Sequence, residues 1–145
     1  MRTLSDLVSD IKAEIRDVPV NNKLVLNILG IAVQEKTKEL IGTHQIFWQD
    51  LADSTVDSKR KKNQGKGNDP SSPLYATGDF ERSIEYKVIG QNKVQIFSDD
   101  PTAEYHEYGT VNQPPRPVFK PAALLVLKEF LGKRRISEFY LKRLR

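Results

Sequence analysis

The sequence predicts an α+β fold in one domain, and three observations carry that expectation. Apolar residues recur at helical spacing in the first forty positions and again after position 120. Between them, Ile84, Tyr86 and Val88 alternate with Glu85 and Lys87, a strand pattern. Gly90, Gln91 and Asn92 then supply a turn, and Val94 and Ile96 continue the alternation, so residues 84–98 read as a β-hairpin. A chain of 145 residues suits a single compact domain with its own core.

The N-terminal elements follow from spacing and from breakers. Thr3 and Asp6 form a capping-box pattern, and Leu4, Leu7, Val8, Ile11 and Ile15 recur behind it. Pro19 is expected to end this helix, because it cannot donate to the ladder. Asn21 or Asn22 would cap a second helix from about Lys23 to Ile41. Its first half, "KLVLNILGIAV", is apolar on nearly every face and needs cover on all sides, from the domain or from a neighbouring subunit. The run is too short to span a bilayer. The N-terminus carries acids where a signal peptide needs an apolar core.

Gly42 stops the second helix. Phe47, Trp48 and Leu51 are expected anchors of a partly helical stretch. Residues 63–73, "NQGKGNDPSSP", are too polar and too rich in Gly and Pro to pack a core and are expected to be a mobile loop. Thr77 is expected to cap a single helical turn, and Gly78 to take a backbone angle closed to other residues. Thr102 can cap a short helix through Tyr108, with Gly109 at its stop. "NQPPRPVF" must be extended, and Pro121 is expected to open the next helix, which Gly132 ends. Ile136, Phe139, Tyr140 and Leu144 suggest a last amphipathic helix.

Charge is uneven. The net charge is +4, yet five cations lie at Lys59–Lys66 and six more at Lys133, Arg134, Arg135, Lys142, Arg143 and Arg145. The rest of the chain has more acids than bases, so an acidic body carries two basic patches. The first is expected to be a solvated loop. The second, a basic helix at about 133–145, is either a solvated helix end or a contact for DNA or another acidic partner. The chain has no cysteine, which excludes disulfides, zinc–thiolate sites and a cysteine nucleophile.

The densest stretch is "AEYHEYGTVNQPPRPVF", residues 103–119. His106 has no histidine at ligand spacing and no paired Ser or Asp, so neither a metal site nor acid–base catalysis is expected of it. Asp99, Asp100, Glu104 and Glu107 could form an all-oxygen magnesium site only if buried together; the expectation is that they are solvated or sit at a helix N-terminus. No phosphate-binding glycine loop is present, so no cofactor is expected. Tyr105 and Tyr108 share a helix face and, with Phe119, make an aromatic surface suited to core or interface.

The order of these pieces resembles the virion morphogenesis family of tailed phages, the tail completion or head–tail joining proteins. The resemblance covers about residues 46–125. It starts at Trp48, with Leu51, Thr55 and Lys59, and continues through Leu74, Thr77–Gly78 and Ser83–Ile84 to the hairpin. Tyr105, His106, Gly109 and Thr110 look like the family's Tyr–His–x–x–Gly segment. Pro115, Arg116, Pro117 and Phe119 resemble its closing motif. Phe80 stands where the family usually has Leu, and Val118 separates Pro117 from the aromatic residue.

The resemblance implies a structural protein without enzymatic activity, assembled in the host cytoplasm and located at the head–tail junction of the virion. It implies a self-assembled ring, often a hexamer, touching neck, connector or tail-terminator proteins, with no membrane contact. The DNA in the channel is a possible further contact for the basic C-terminal helix. In that setting Gly78 and Gly109 set turn geometry. Tyr105, His106 and Tyr108 pack the short helix on the hairpin. Arg116, stiffened by Pro115 and Pro117, reaches a neighbouring subunit's carboxylate. The alternative from another class is a basic DNA-binding or DNA-processing protein. A regulatory, antitoxin-like module is weaker, since no helix-turn-helix spacing is found.

Overall fold

The computed structural model describes the backbone of residues 4–132 and the side chains of residues 22–129. The Thr3–Asp6 cap and the basic segment 133–145 lie outside the described residues. Within them the fold is α+β: a long helix, a two-stranded antiparallel hairpin and short helices around it.

Helix α1 runs Leu4–Leu40 without a break. The expected stop at Pro19 is not there. A proline inside a helix removes one hydrogen bond and costs about 3 kcal/mol. That cost is local, and helix-forming runs on both sides carry the chain through it. Asn22 does not cap a second helix; its side-chain amide donates to the carbonyl of Gln91 at the hairpin tip.

α1 lies along the hairpin in the reverse direction. β1 (Ile84–Ile89) pairs with β2 (Lys93–Ser98), from Ile84↔Ser98 to Ile89↔Lys93. Gln34 donates to the carbonyl of Ile84 at 2.8 Å, where β1 begins. Tyr86 covers Gly30, and Asn22 reaches Gln91 at the tip. Twelve helical residues rise about 18 Å, and seven strand residues about 23 Å. The two elements therefore keep pace along their common length.

The core forms where α1, the hairpin and α5 (Phe119–Gly132) meet. Ile41, Ile84, Val118 and Ala122 are fully buried there, with Val33 and Val126 beside them. Thr37 is buried too, and its hydroxyl donates to the Val33 carbonyl one turn back. Trp48 is buried as expected, but Phe47 is exposed and touches it edge-on. The indole Nε1 of Trp48 has no hydrogen-bond partner among the described residues. That omission costs on the order of 1–3 kcal/mol against the gain from burying the ring.

Three connections differ from expectation in detail. α2 spans Asp53–Lys61, and residues 63–73 form a loop with a 3-10 turn at Lys66–Asn68, tied down by bonds of Lys66, Asp69, Ser71 and Ser72. Lys66 Nζ donates to the Ile41 carbonyl at 3.0 Å and to Glu81 at 2.9 Å, so it closes the C-terminus of α1. Gly42 N donates to the Pro73 carbonyl, and Ser72 is buried. α3 is the single turn Asp79–Arg82, with Gly78 before it at φ 86°. Thr77 does not cap this turn: its hydroxyl donates to the Asp79 carboxylate instead of accepting an amide. Likewise Thr102 makes no side-chain cap at α4 (Ala103–Tyr108), since its hydroxyl donates to Asp100.

Gly30 is the tightest point of the helix–hairpin contact. A Cβ there would lie 2.3 Å from Cδ2 of Tyr86. Alanine would gain about 1 kcal/mol of helix propensity, but forcing atoms into a packed contact costs about 1–3 kcal/mol. Gly30→Ala is expected to lose net stability by about 1 kcal/mol in urea unfolding; a rise in stability would show that the Tyr86 ring yields freely.

Candidate functional site

Residues 103–119 fold into a latch rather than an open arm. α4 ends at Gly109 (φ 74°), the chain turns through a bridge between Thr110 and Gln113, and residues 114–118 run extended into α5. A Cβ on Gly109 would sit 2.8 Å from the Gln113 carbonyl and from Pro115 N, so the turn requires glycine. The extended run follows from Pro114, Pro115 and Pro117, which exclude helix before them.

Two side chains hold the latch shut. Arg116 is only 5% exposed. Its Nε and Nη2 donate to the Gln49 carbonyl at 3.1 and 2.9 Å, and Nη2 also reaches the Asp50 carbonyl at 3.1 Å. The planar fork thus closes onto a loop 67 positions earlier in the chain. Burial lowers the Arg116 pKa, and the nearby Asp50 carboxylate opposes the shift. Instead of presenting a free fork outward, the guanidinium bonds its own chain's backbone through two of its three nitrogens, Nε and Nη2. The sequence could not show this, because the acceptors are backbone carbonyls.

Glu107 is the second. One carboxylate oxygen accepts from the amides of Val118 and Phe119 at 2.8 and 3.2 Å, and the other from Lys120 at 3.2 Å. Pro121 has no amide, and Ala122 N bonds the Val118 carbonyl. Every orphan donor at the start of α5 is thereby accounted for, and a negative group sits at the positive helix end. α5 begins at Phe119, two residues before the expected Pro121, because Glu107 supplies the cap from another helix. Of the two expectations for Glu107, solvated or at a helix N-terminus, the structure shows the second, with the helix being α5 rather than its own. The usable signal is that α5 has no local Ser, Thr, Asp or Asn to cap it.

His106 is half-buried between these two. Its ring meets Phe80 at 5.0 Å between centroids, tilted 56°. Gln113 Nε2 lies 3.1 Å from Nδ1, which fits a neutral ring protonated on Nε2. Arg116 N donates to the His106 carbonyl at 2.7 Å. Burial lowers the His106 pKa below 6.5; Asp100 pulls it up and Arg116 pushes it further down. Tyr105 and Tyr108 are exposed, so they do not pack α4 on the hairpin. His106 packs instead on Phe80 of α3, and Phe119 is half-buried against the core. Pro117 is half-buried in the extended run.

A cleft of about 890 Å³ opens beside the latch, between residues 49–55, 74–76 and 112–116. Leu74 lines it with φ 61°, a left-handed conformation that a bulky residue rarely takes. Lys59 lines it too, is buried, and donates to the Ser72 carbonyl. Desolvation lowers the Lys59 pKa, with Asp69 opposing. The cleft's Lys59 and Arg116 face their own chain's carbonyls, and His106 Nδ1 is engaged by Gln113. Elsewhere Ser71 Oγ lies 3.5 Å from His44 Nε2. That hydroxyl donates to Asp69 at 2.6 Å, so its proton points away from the imidazole. Among the described residues no three His, Asp or Glu side chains are placed to hold a metal ion.

The first basic patch is largely consumed. Lys59 is buried, Arg60 pairs with Asp57 at 2.7 Å, and Lys66 pairs with Glu81. Lys61 and Lys62 remain exposed. Lys133, Arg134, Arg135, Lys142, Arg143 and Arg145 fall outside the described residues. Comparisons of the chain with protein-family models, curated proteins and solved structures returned no match. Among the described residues no helix is long and apolar enough to cross a membrane.

The lowered His106 pKa sets a pH dependence. A base held neutral in the folded state binds fewer protons there than in the unfolded chain. Its contribution is whole above the ordinary value of 6.5 and declines as pH falls through 6.5 toward the lower folded value. Unfolding free energy is expected to fall as pH drops from neutrality through 6.5, with a shallower fall in His106→Gln. Equal slopes in chemical denaturation would remove this role from His106.

Proposed function

We propose that this chain is a structural subunit of a tailed-phage or prophage virion, acting without catalysis in a ring at the head–tail junction. The observation that carries the reading is the use of the 103–119 stretch. Its charged and polar groups hold the subunit together, through Arg116 and Glu107, and its tyrosines face solvent. An active site would gather unspent polar groups in a cleft. Here the cleft's Lys59 and Arg116 are already bonded to carbonyls. A stiff latch that projects aromatic side chains suits a subunit that docks, because little freedom is lost on binding.

The order of motifs from Trp48 to Phe119 supports the specific placement at the junction of head and tail. The DNA-binding alternative draws less support, since three of the five cations at 59–66 are committed to the subunit's own groups.

Disrupting the gene in its parent phage and imaging the lysate by negative-stain electron microscopy tests the placement. Filled heads and separate tails are expected. Normal joined particles would contradict it.

A further inference from the structure

Burying a charge is costly unless an opposite charge meets it, so buried Lys and Arg are normally paired. Among the described residues the buried charged side chains are Lys59, 8% exposed, and Arg116, 5% exposed. Both are cations, and both line the cleft of about 890 Å³ beside the latch. Neither forms an ion pair among the described residues. Lys59 Nζ spends one of its hydrogens on the Ser72 carbonyl. Arg116 spends Nε and Nη2 on Gln49 and Asp50, while Nη1 makes no hydrogen bond among the described residues and is not sealed from solvent. His106 lines the cleft as well, and a ring that accepts from Gln113 at Nδ1 carries its proton on Nε2. The carbonyl bonds fix the two cations in place but leave their full charges unopposed. Asp50 and Asp53 on the cleft wall are exposed to water, which screens them. Burial lowers the pKa of both cations, and the opposing pull of Asp69 on Lys59 and of Asp50 on Arg116 is the smaller effect.

We infer that this cleft binds a small organic anion carrying two or more carboxylate or phosphate groups, held by Lys59, the free Nη1 of Arg116 and the Nε2–H of His106. Oxyanions suit such a donor set, because each accepts several charge-assisted hydrogen bonds at once. Two fixed cations call for more than one negative group. The volume points the same way. It lies within the range of about 300–1,000 Å³ found for small-molecule sites, and a single inorganic ion would leave most of it unfilled. Leu51, Leu74, Tyr75 and Pro114 give the cleft an apolar wall for the rest of the ligand. A mainly apolar lining with a few placed polar groups is the usual build of such sites. A bound anion would tie α2, the 49–50 loop and the latch to one another, so occupancy is linked to stability. Binding of this kind makes and breaks no covalent bond. It is a property of the single chain and does not depend on the ring reading above.

Citrate and pyrophosphate are the probes, titrated into the full-length chain at constant ionic strength and followed by amide shifts in two-dimensional NMR. Saturable binding of at least one probe is expected, with the shifts centred on residues 49–55, 74–76 and 112–116, and the tighter probe tells carboxylate from phosphate. Lys59→Gln removes the charge but keeps a donor for the Ser72 carbonyl. It is expected to weaken binding about tenfold or more, the loss of one charge-assisted hydrogen bond. Lys61→Gln with Lys62→Gln removes two exposed cations outside the cleft and is expected to leave binding unchanged. Circular dichroism checks that each variant folds; if Lys59→Gln does not, the location of the wild-type shifts decides. No saturable binding of either probe overturns the assignment, as do shifts centred elsewhere or an unchanged affinity in folded Lys59→Gln. An equal loss in the Lys61 and Lys62 variant also overturns it, because it would show diffuse attraction to the basic patch.

Discussion

The described structure depends on one constraint: the guanidinium of Arg116 must satisfy two backbone carbonyls on a loop far away in sequence. The chain between α1 and α2 has no strand or long helix to carry it. Gln49 and Asp50 are exposed residues on the cleft wall, and their carbonyls take the guanidinium in part-buried hydrogen bonds; a hydrogen bond to a charged donor contributes about 1.5–3 kcal/mol. Arg116 answers both with one planar fork. The prolines around it fix the fork's approach, and Glu107 fixes the chain two residues later by capping α5. Val118, just before α5, and Ala122 and Val126 within it are in turn part of the core. The latch, the helix start and the core are thus linked in a short series.

What the sequence made legible was whatever depends on local pattern. The hairpin at 84–98, the single turn after Gly78, the short helix ending at Gly109 and the burial of Trp48 all follow from periodicity, glycine placement or turn residues. What it hid depends on distant partners. Pro19 looked like a stop because the rule for proline is local, while the helix continues through it. Thr77 and Thr102 looked like caps because of their residue type, but each hydroxyl found a nearer carboxylate. Arg116 looked like an outward donor because the backbone carbonyls that take it have no side-chain signature. Glu107 was legible only by its absence elsewhere, as the missing cap of α5.

The same logic bears on function. A stretch dense in Tyr, His, Glu and Arg invites a catalytic reading, yet Arg116, Glu107 and His106 are engaged with the backbone or with Gln113, while Tyr105 and Tyr108 face solvent. Lys59 and His106 both have lowered pKa values, and in both the first cause is burial. Perturbed groups in a cleft suggest chemistry only when a proton or a nucleophile is free to use. Here Lys59 bonds Ser72 and His106 accepts from Gln113.

The most direct test of the latch is the unfolding free energy of Arg116→Ala and Arg116→Lys in urea. If the guanidinium holds the carbonyls as described, alanine lowers stability by about 2–3 kcal/mol. Lysine recovers little of it, because a point charge cannot fork onto two carbonyls. A stability unchanged in both variants would contradict the account and return Arg116 to the surface as a free docking group.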